Sequence, residues 1–120
     1  VNKLADTHTL HIDFQSNLTR RIEMEMEVAL YRAVIECVNN TIKYAKAKRV
    51  HIHIKDQGNK ITIQYLDDGK GFDIVKTLME KKGLGLFNLQ NRIKTIGGEI
   101  MMFSKPHEGV NYHITIPIQS

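Results

Sequence analysis

The chain is 120 residues long, 42% hydrophobic and 25% charged, with a formal net charge of +4 and a single cysteine. That length suits one domain able to bury a core without crosslinks, and the composition excludes a disordered chain. The lone Cys37 excludes an internal disulfide and a multi-cysteine metal site, and no apolar run is long enough to span a bilayer.

Thr9 to Gln15 alternates apolar and polar residues and predicts a strand. Glu25 to Lys46 predicts a long helix, because Leu30, Val34, Cys37, Val38, Thr41 and Ala45 recur at helical spacing. Arg49 to Asp56 alternates again, Gln57-Gly58-Asn59 is a turn, and Lys60 to Leu66 is the returning strand of a hairpin. Asp67 to Phe72 is a glycine-containing loop, and Asp73 to Lys82 is charged and partly helical. A second glycine loop starts at Gly83, and a helix over Leu86 to Ile96 stops at Gly97-Gly98. Glu99 to Ser104 and Asn111 to Ile118 form a closing pair of strands around a turn with Pro106 and Gly109. This order predicts an α+β two-layer sandwich: a mixed, mainly antiparallel sheet of about five strands with helices on one face.

Three constellations carry chemistry. Glu36, Asn40, Lys43 and Tyr44 fall along one stripe of the long helix at about 100° per residue. A carboxylate and an amide oxygen one turn apart suit Mg²⁺, which keeps several waters and completes its shell from phosphates. Lys43 could meet a phosphate as a point charge. Second, Asp67-Asp68-Gly69-Lys70-Gly71 follows a strand directly, so its glycines let backbone approach a ligand and Asp67 can accept from a purine amine. Third, Gly83-Leu84-Gly85-Leu86 opens a helix, where free amides bind phosphate. It is neither a dinucleotide fingerprint nor a P-loop. Taken singly, a solvated helix face or an ordinary Asp-Gly turn explains these segments at least as well.

Together, in order and spacing, they resemble the GHKL superfamily of ATPases. Glu36-x-x-x-Asn40-x-x-Lys43-Tyr44-Ala45 resembles its N-box, Asp67-x-Gly69-x-Gly71 its G1 box and Gly83-x-Gly85-Leu86 its G2 box. The likeness continues through Asn91-Arg92-Ile93 and Gly97-Gly98 to Ile116-Pro117, covering roughly residues 9–118. Residues 29–36 and the short stretch between the glycine boxes look most like histidine kinases of the nitrate-sensor and lipid-thermosensor type.

The resemblance implies the Bergerat ATP-binding fold, with residues 1–120 forming one catalytic domain that uses ATP and Mg²⁺. In that reading Asn40 ligates Mg²⁺ and Glu36 holds its water shell. Lys43 and Tyr44 contact the phosphates or the metal-proximal nucleotide, Asp67 accepts from the adenine amine, and Gly69 and Gly71 shape the base pocket. Gly83, Gly85 and Leu86 close over the phosphates, and residues 72–82 form an ATP lid.

The implied activity is that of a two-component sensor histidine kinase. The γ-phosphate goes to a histidine on a separate dimerisation domain of the same protein, with a response regulator downstream. Within the superfamily, an anti-sigma-type serine kinase and an ATP hydrolase module are the alternatives. Because the chain opens on Val1 rather than Met, it is expected to be a piece of a longer protein. It is expected to be cytoplasmic and monomeric, without membrane contact, and any inner-membrane anchor lies outside it. The positive charge suits an anionic partner, but no basic helix or aromatic-rich strand points to nucleic acid.

Two residues depart from the pattern. Asp68 stands where asparagine is usual and adds negative charge near the site. Val110 follows Gly109 where the family often has threonine, whose hydroxyl supports the adenine-binding aspartate. Val110 cannot donate that bond.

His8, His11, His51 and His53 are expected at the surface or across strands rather than on a metal, and His107 in a turn. Cys37 is expected in the core rather than as a nucleophile. Met24, Met26, Met101 and Met102 are expected to pack or dock.

Overall fold

The computed structural model describes residues 10–42, 46–70 and 84–118, with backbone alone at 84–86. Its elements are β1 (His11–Ser16), α1 (Met24–Asn40), β2 (Arg49–Asp56), β3 (Lys60–Asp67), α2 (Leu84–Thr95), β4 (Glu99–Ser104) and β5 (Val110–Pro117). One five-stranded sheet runs in the order β1-β2-β3-β5-β4. β1 and β2 are parallel, and the other pairs are antiparallel. This is the expected mixed sheet with helices on one face.

Register decides what each strand buries. Ile54 pairs with Ile63, and Ile63 with Ile114; Ile52 pairs with Tyr65, and Tyr65 with Tyr112. Val50 pairs with Asp67, and Asp67 with Val110. Because successive side chains alternate faces, these rungs form rows on one face. Val50, Ile52, Ile54, Ile61, Ile63, Tyr65, Val110, Tyr112, Ile114 and Ile116 are all buried there. Each isoleucine contributes roughly 1.5–3 kcal/mol by leaving water. Asp67 therefore occupies the last rung of an apolar stack, on the same face as the core.

α1 covers that face with Ala29, Leu30, Ala33 and Cys37. Glu25 and Glu27 in its first turn favour the positive end of the helix. α2 contributes Leu89 and Ile93, both fully buried. It closes in the expected glycine cap: Gly97 at φ +79 donates to Lys94 O at 2.9 Å, and Gly98 to Ile93 O at 2.9 Å. α2 begins at Leu84, so Gly85 lies inside its first turn rather than in a preceding loop.

The predicted helix over Glu25–Lys46 runs too far. α1 ends at Asn40, Thr41 and Ile42 follow in a wider π-type turn, and Lys46 has φ +51. The hydrogen bonds of Thr41 described below sit at that change. Ahead of α1, Arg20 pairs with Asp56 at 2.7 and 3.1 Å and reaches Gly58 O, anchoring the approach to the helix on the β2–β3 turn. Among the described residues no helix is long and apolar enough to cross a membrane.

Candidate functional site

The end of β3 and the end of α1 meet at the carboxylate of Asp67. Its Oδ2 accepts a hydrogen bond from Thr41 Oγ1 at 2.9 Å, and its Oδ1 accepts from Gly69 N at 3.0 Å. The backbone N–H of Val110 also donates to it. Burial, the largest influence, pushes the Asp67 carboxyl above its ordinary range, and these three donors oppose the shift. A half-buried acid at the end of an apolar stack is costly as a structural device, which makes Asp67 a candidate site residue.

Thr41 is itself buried. Its Oγ1 lies 2.5 Å from Tyr65 OH, and Tyr65 OH donates to Cys37 O at 3.1 Å. The Tyr65 ring stacks on Tyr112, with centroids 5.7 Å apart and 18° between planes. A polar chain therefore runs from the α1 backbone through Tyr65 and Thr41 to Asp67, inside an otherwise apolar layer. Sequence reasoning placed Thr41 on the apolar stripe and missed its hydroxyl. A hydroxyl residue beside Asn40, in a chain with Val110 after Gly109, was the available signal.

Gly109 lies against Asp67 from the other side. It has φ +74, and a Cβ there would run into the Asp67 carbonyl oxygen. Asp68 turns away from the site: its Oδ1 accepts from Lys48 N at 2.8 Å and Arg49 N at 2.9 Å. These amides hold its carboxyl below the usual range. Its carboxylate is bonded at the start of β2, and its negative charge still acts on Asp67, in keeping with the expected negative charge near the site.

Glu36 and Asn40 lie one turn apart on α1, both partly buried. Among the described residues the buried Asn40 Nδ2 has no hydrogen-bond partner, so no bond there keeps the amide from turning its oxygen toward a cation. The donor set fits a hydrated Mg²⁺ that completes its shell from phosphates. Among the described residues no three His, Cys, Asp or Glu side chains cluster as a metal site. Lys43, Tyr44, Gly71, Gly83 and the lid over residues 72–82 lie outside the described residues, as does the side chain of Leu86.

The structure thus brings Asp67, Gly69 and the Asn40 end of α1 together. Residues 25–120 match the family described as histidine kinase-, DNA gyrase B- and HSP90-like ATPases. The chain belongs to that ATPase family. The signal transduction histidine-protein kinase/phosphatase DegS of Brevibacillus brevis is 36% identical over 118 residues, 97% of this chain and 30% of DegS. An uncharacterized sensor-like histidine kinase of Chloroflexus aurantiacus is 34% identical over 106 residues, 83% of this chain and 17% of that protein. The chain therefore spans under a third of the length of these relatives.

Two solved structures share the ATPase fold. The histidine kinase domain of the Erythrobacter litoralis blue-light activated histidine kinase superposes with TM-score 0.73 at 17% identity, covering 98% of this chain and 57% of that one. The Acinetobacter baumannii histidine kinase AdeS gives TM-score 0.75 at 17% identity, covering 99% of this chain and 59% of that one.

The remaining residues fall as follows. Cys37 is 1% exposed, and burial raises its thiol pKa strongly, so it is a core residue. His51 faces Asp13 across β1 and β2 at 3.7 Å. His107 has φ +70 in the β4–β5 turn. Met102 packs on the core, while Met24 and Met101 are exposed.

Proposed function

We propose that this chain binds MgATP and presents the γ-phosphate to a histidine on a separate dimerisation domain of a sensor histidine kinase of the nitrate-sensor and lipid-thermosensor kind. The observation that carries this reading is the half-buried, hydrogen-bonded Asp67 carboxylate beside the helix that bears Glu36 and Asn40.

Asp67 accepts the adenine amine, and Gly69 fixes its Oδ1 while leaving room for the ring. Asn40 ligates Mg²⁺, with Glu36 holding its waters. Lys43 and Tyr44 contact the phosphates, and Gly71, Gly83, Gly85 and Leu86 close the site around them. When bound, Mg²⁺ neutralises phosphate charge. The chain's own contribution is to hold the nucleotide in line and shield it from water. The response regulator acts downstream, in the cytoplasm.

Incubation with a histidine-bearing helical hairpin and MgATP labelled at the γ-phosphate tests this directly. The expected product is an acid-labile, base-stable phosphohistidine on the hairpin, with no stable label on the chain's own histidines. Transfer to a serine protein instead points to an anti-sigma-type kinase. Rapid steady-state hydrolysis without transfer, abolished by Glu36→Gln, points to a hydrolase module. Either result overturns the reading.

A further inference from the structure

Among the described residues the Asp67 carboxylate has three donors, and two of them are backbone N–H groups of Gly69 and Val110. The third, Thr41 Oγ1 at 2.9 Å, is a side-chain donor. Val110 is buried at 4% exposure and its side chain has no hydroxyl, so no support of that kind reaches Asp67 from the head of β5. Thr41 comes instead from the other side of the site, from the residue next to Asn40.

Proton bookkeeping fixes what this contact does. The Thr41 hydroxyl has one proton. If it goes to an ionised Asp67, the 2.5 Å contact with Tyr65 must be donated by the tyrosine. The chain then runs Tyr65 to Thr41 to Asp67, and the carboxylate is left as an acceptor. If Thr41 donates to Tyr65, the tyrosine donates to Cys37 O at 3.1 Å, and the Thr41–Asp67 contact requires a proton on Asp67. Only the first direction presents an ionised carboxylate, the stronger acceptor, to an exocyclic amine. Tyr65 is held in place by its stack on Tyr112.

We propose that Thr41 is the positioning residue for base recognition, aiming Asp67 as an acceptor at a 6-amino purine and tying that carboxylate to the helix end that carries Asn40. This rests on the reading of the chain as an ATP-binding domain. Two consequences follow from the geometry. Losing the hydroxyl weakens amine recognition specifically. It does not orphan Tyr65, whose proton can turn to Cys37 O, 3.1 Å away.

The test is calorimetric titration of the whole chain with two nucleotides in Mg²⁺: ATP, and the purine riboside triphosphate that lacks the 6-amino group. Wild type binds ATP more tightly. Thr41→Val lowers ATP affinity about tenfold and leaves the amine-free nucleotide unchanged, collapsing the ratio. Thr41→Ser restores the ratio, and the double variant Thr41→Val/Val110→Thr regains part of it by returning a hydroxyl from β5. Circular dichroism melts confirm folding, and if Thr41→Val does not fold the ratio is read in Thr41→Ala. A folded variant with the wild-type ratio, or one weakened equally for both nucleotides, overturns the inference while leaving ATP binding intact. Failure of wild type to bind ATP overturns the functional reading and the inference with it.

Discussion

Gly109 packs so closely on Asp67 that a Cβ at Gly109 would enter the space of the Asp67 carbonyl oxygen. The contact fixes the backbone of the candidate site from the β5 side, and the backbone at Gly109 takes φ +74, which disfavours any side chain. Gly109→Ala should therefore destabilise the fold by about 2 kcal/mol or more. It should also weaken nucleotide binding by shifting Asp67. Thermal melts together with titration check both effects; an unchanged midpoint would show that the β3–β5 rung gives way easily.

Asp67 couples function and stability with opposite signs. Burial raises its pKa. For a raised acid, the native state binds more protons than the unfolded one. Its contribution to stability is fully present below the ordinary aspartate value of about 3.9 and is lost as pH rises through the raised folded value. At neutral pH the ionised form is a cost. Asp67→Asn should leave the nucleotide-free fold as stable as wild type or more so, since the amide can donate to Thr41. It should also lower ATP affinity roughly 10- to 150-fold through loss of a charged hydrogen bond. In wild type, ATP affinity should begin to fall at a higher pH, on acidification, than an ordinary aspartate would allow. Melts of both proteins and affinities across pH measure this.

Asp68 behaves in the opposite way. Two backbone amides hold its carboxyl below the usual range. Its contribution is present above the unfolded value and is lost as pH falls through the lowered folded value. Asp68→Ala should cost about 1 kcal/mol at this exposed position. Asp68→Asn, which keeps an oxygen for the amides, should cost less. ATP affinity should change little in either, as titration of both variants would show.

Cys37 should be inert in the native state, because burial disfavours its thiolate. An aromatic disulfide reagent should label it only as fast as the domain opens, with labelling that rises with denaturant alongside unfolding. Rapid labelling of the folded chain would contradict the packing of α1 on the sheet.

Much of the fold was legible because local patterns and tertiary demands agree. Val50, Ile52 and Ile54 alternate across β2, which takes the predicted bounds Arg49–Asp56. Gly97-Gly98 ends α2 as a glycine pair should. The pattern did not foresee the change at the end of α1, where helical periodicity runs on past Asn40 but Thr41 and Ile42 take a π-type turn. There Thr41 makes buried bonds to Tyr65 and Asp67 that no local pattern encodes.

In the site, Asp67 could be named from its place after a strand and before glycines. The reason it is held so firmly could not. Register puts it on the last apolar rung, and Thr41 and Gly109 reach it from 26 residues before and 42 after. Asp68 shows the same limit, since only the fold turns it toward Lys48 and Arg49.

The most direct test is calorimetric titration with a non-hydrolysable ATP analogue, with and without Mg²⁺, on wild type, Asn40→Ala and Asp67→Asn. The account predicts Mg²⁺-dependent binding that is lost in Asn40→Ala and weakened in Asp67→Asn. No binding by wild type at millimolar nucleotide, or binding indifferent to both substitutions, would contradict it.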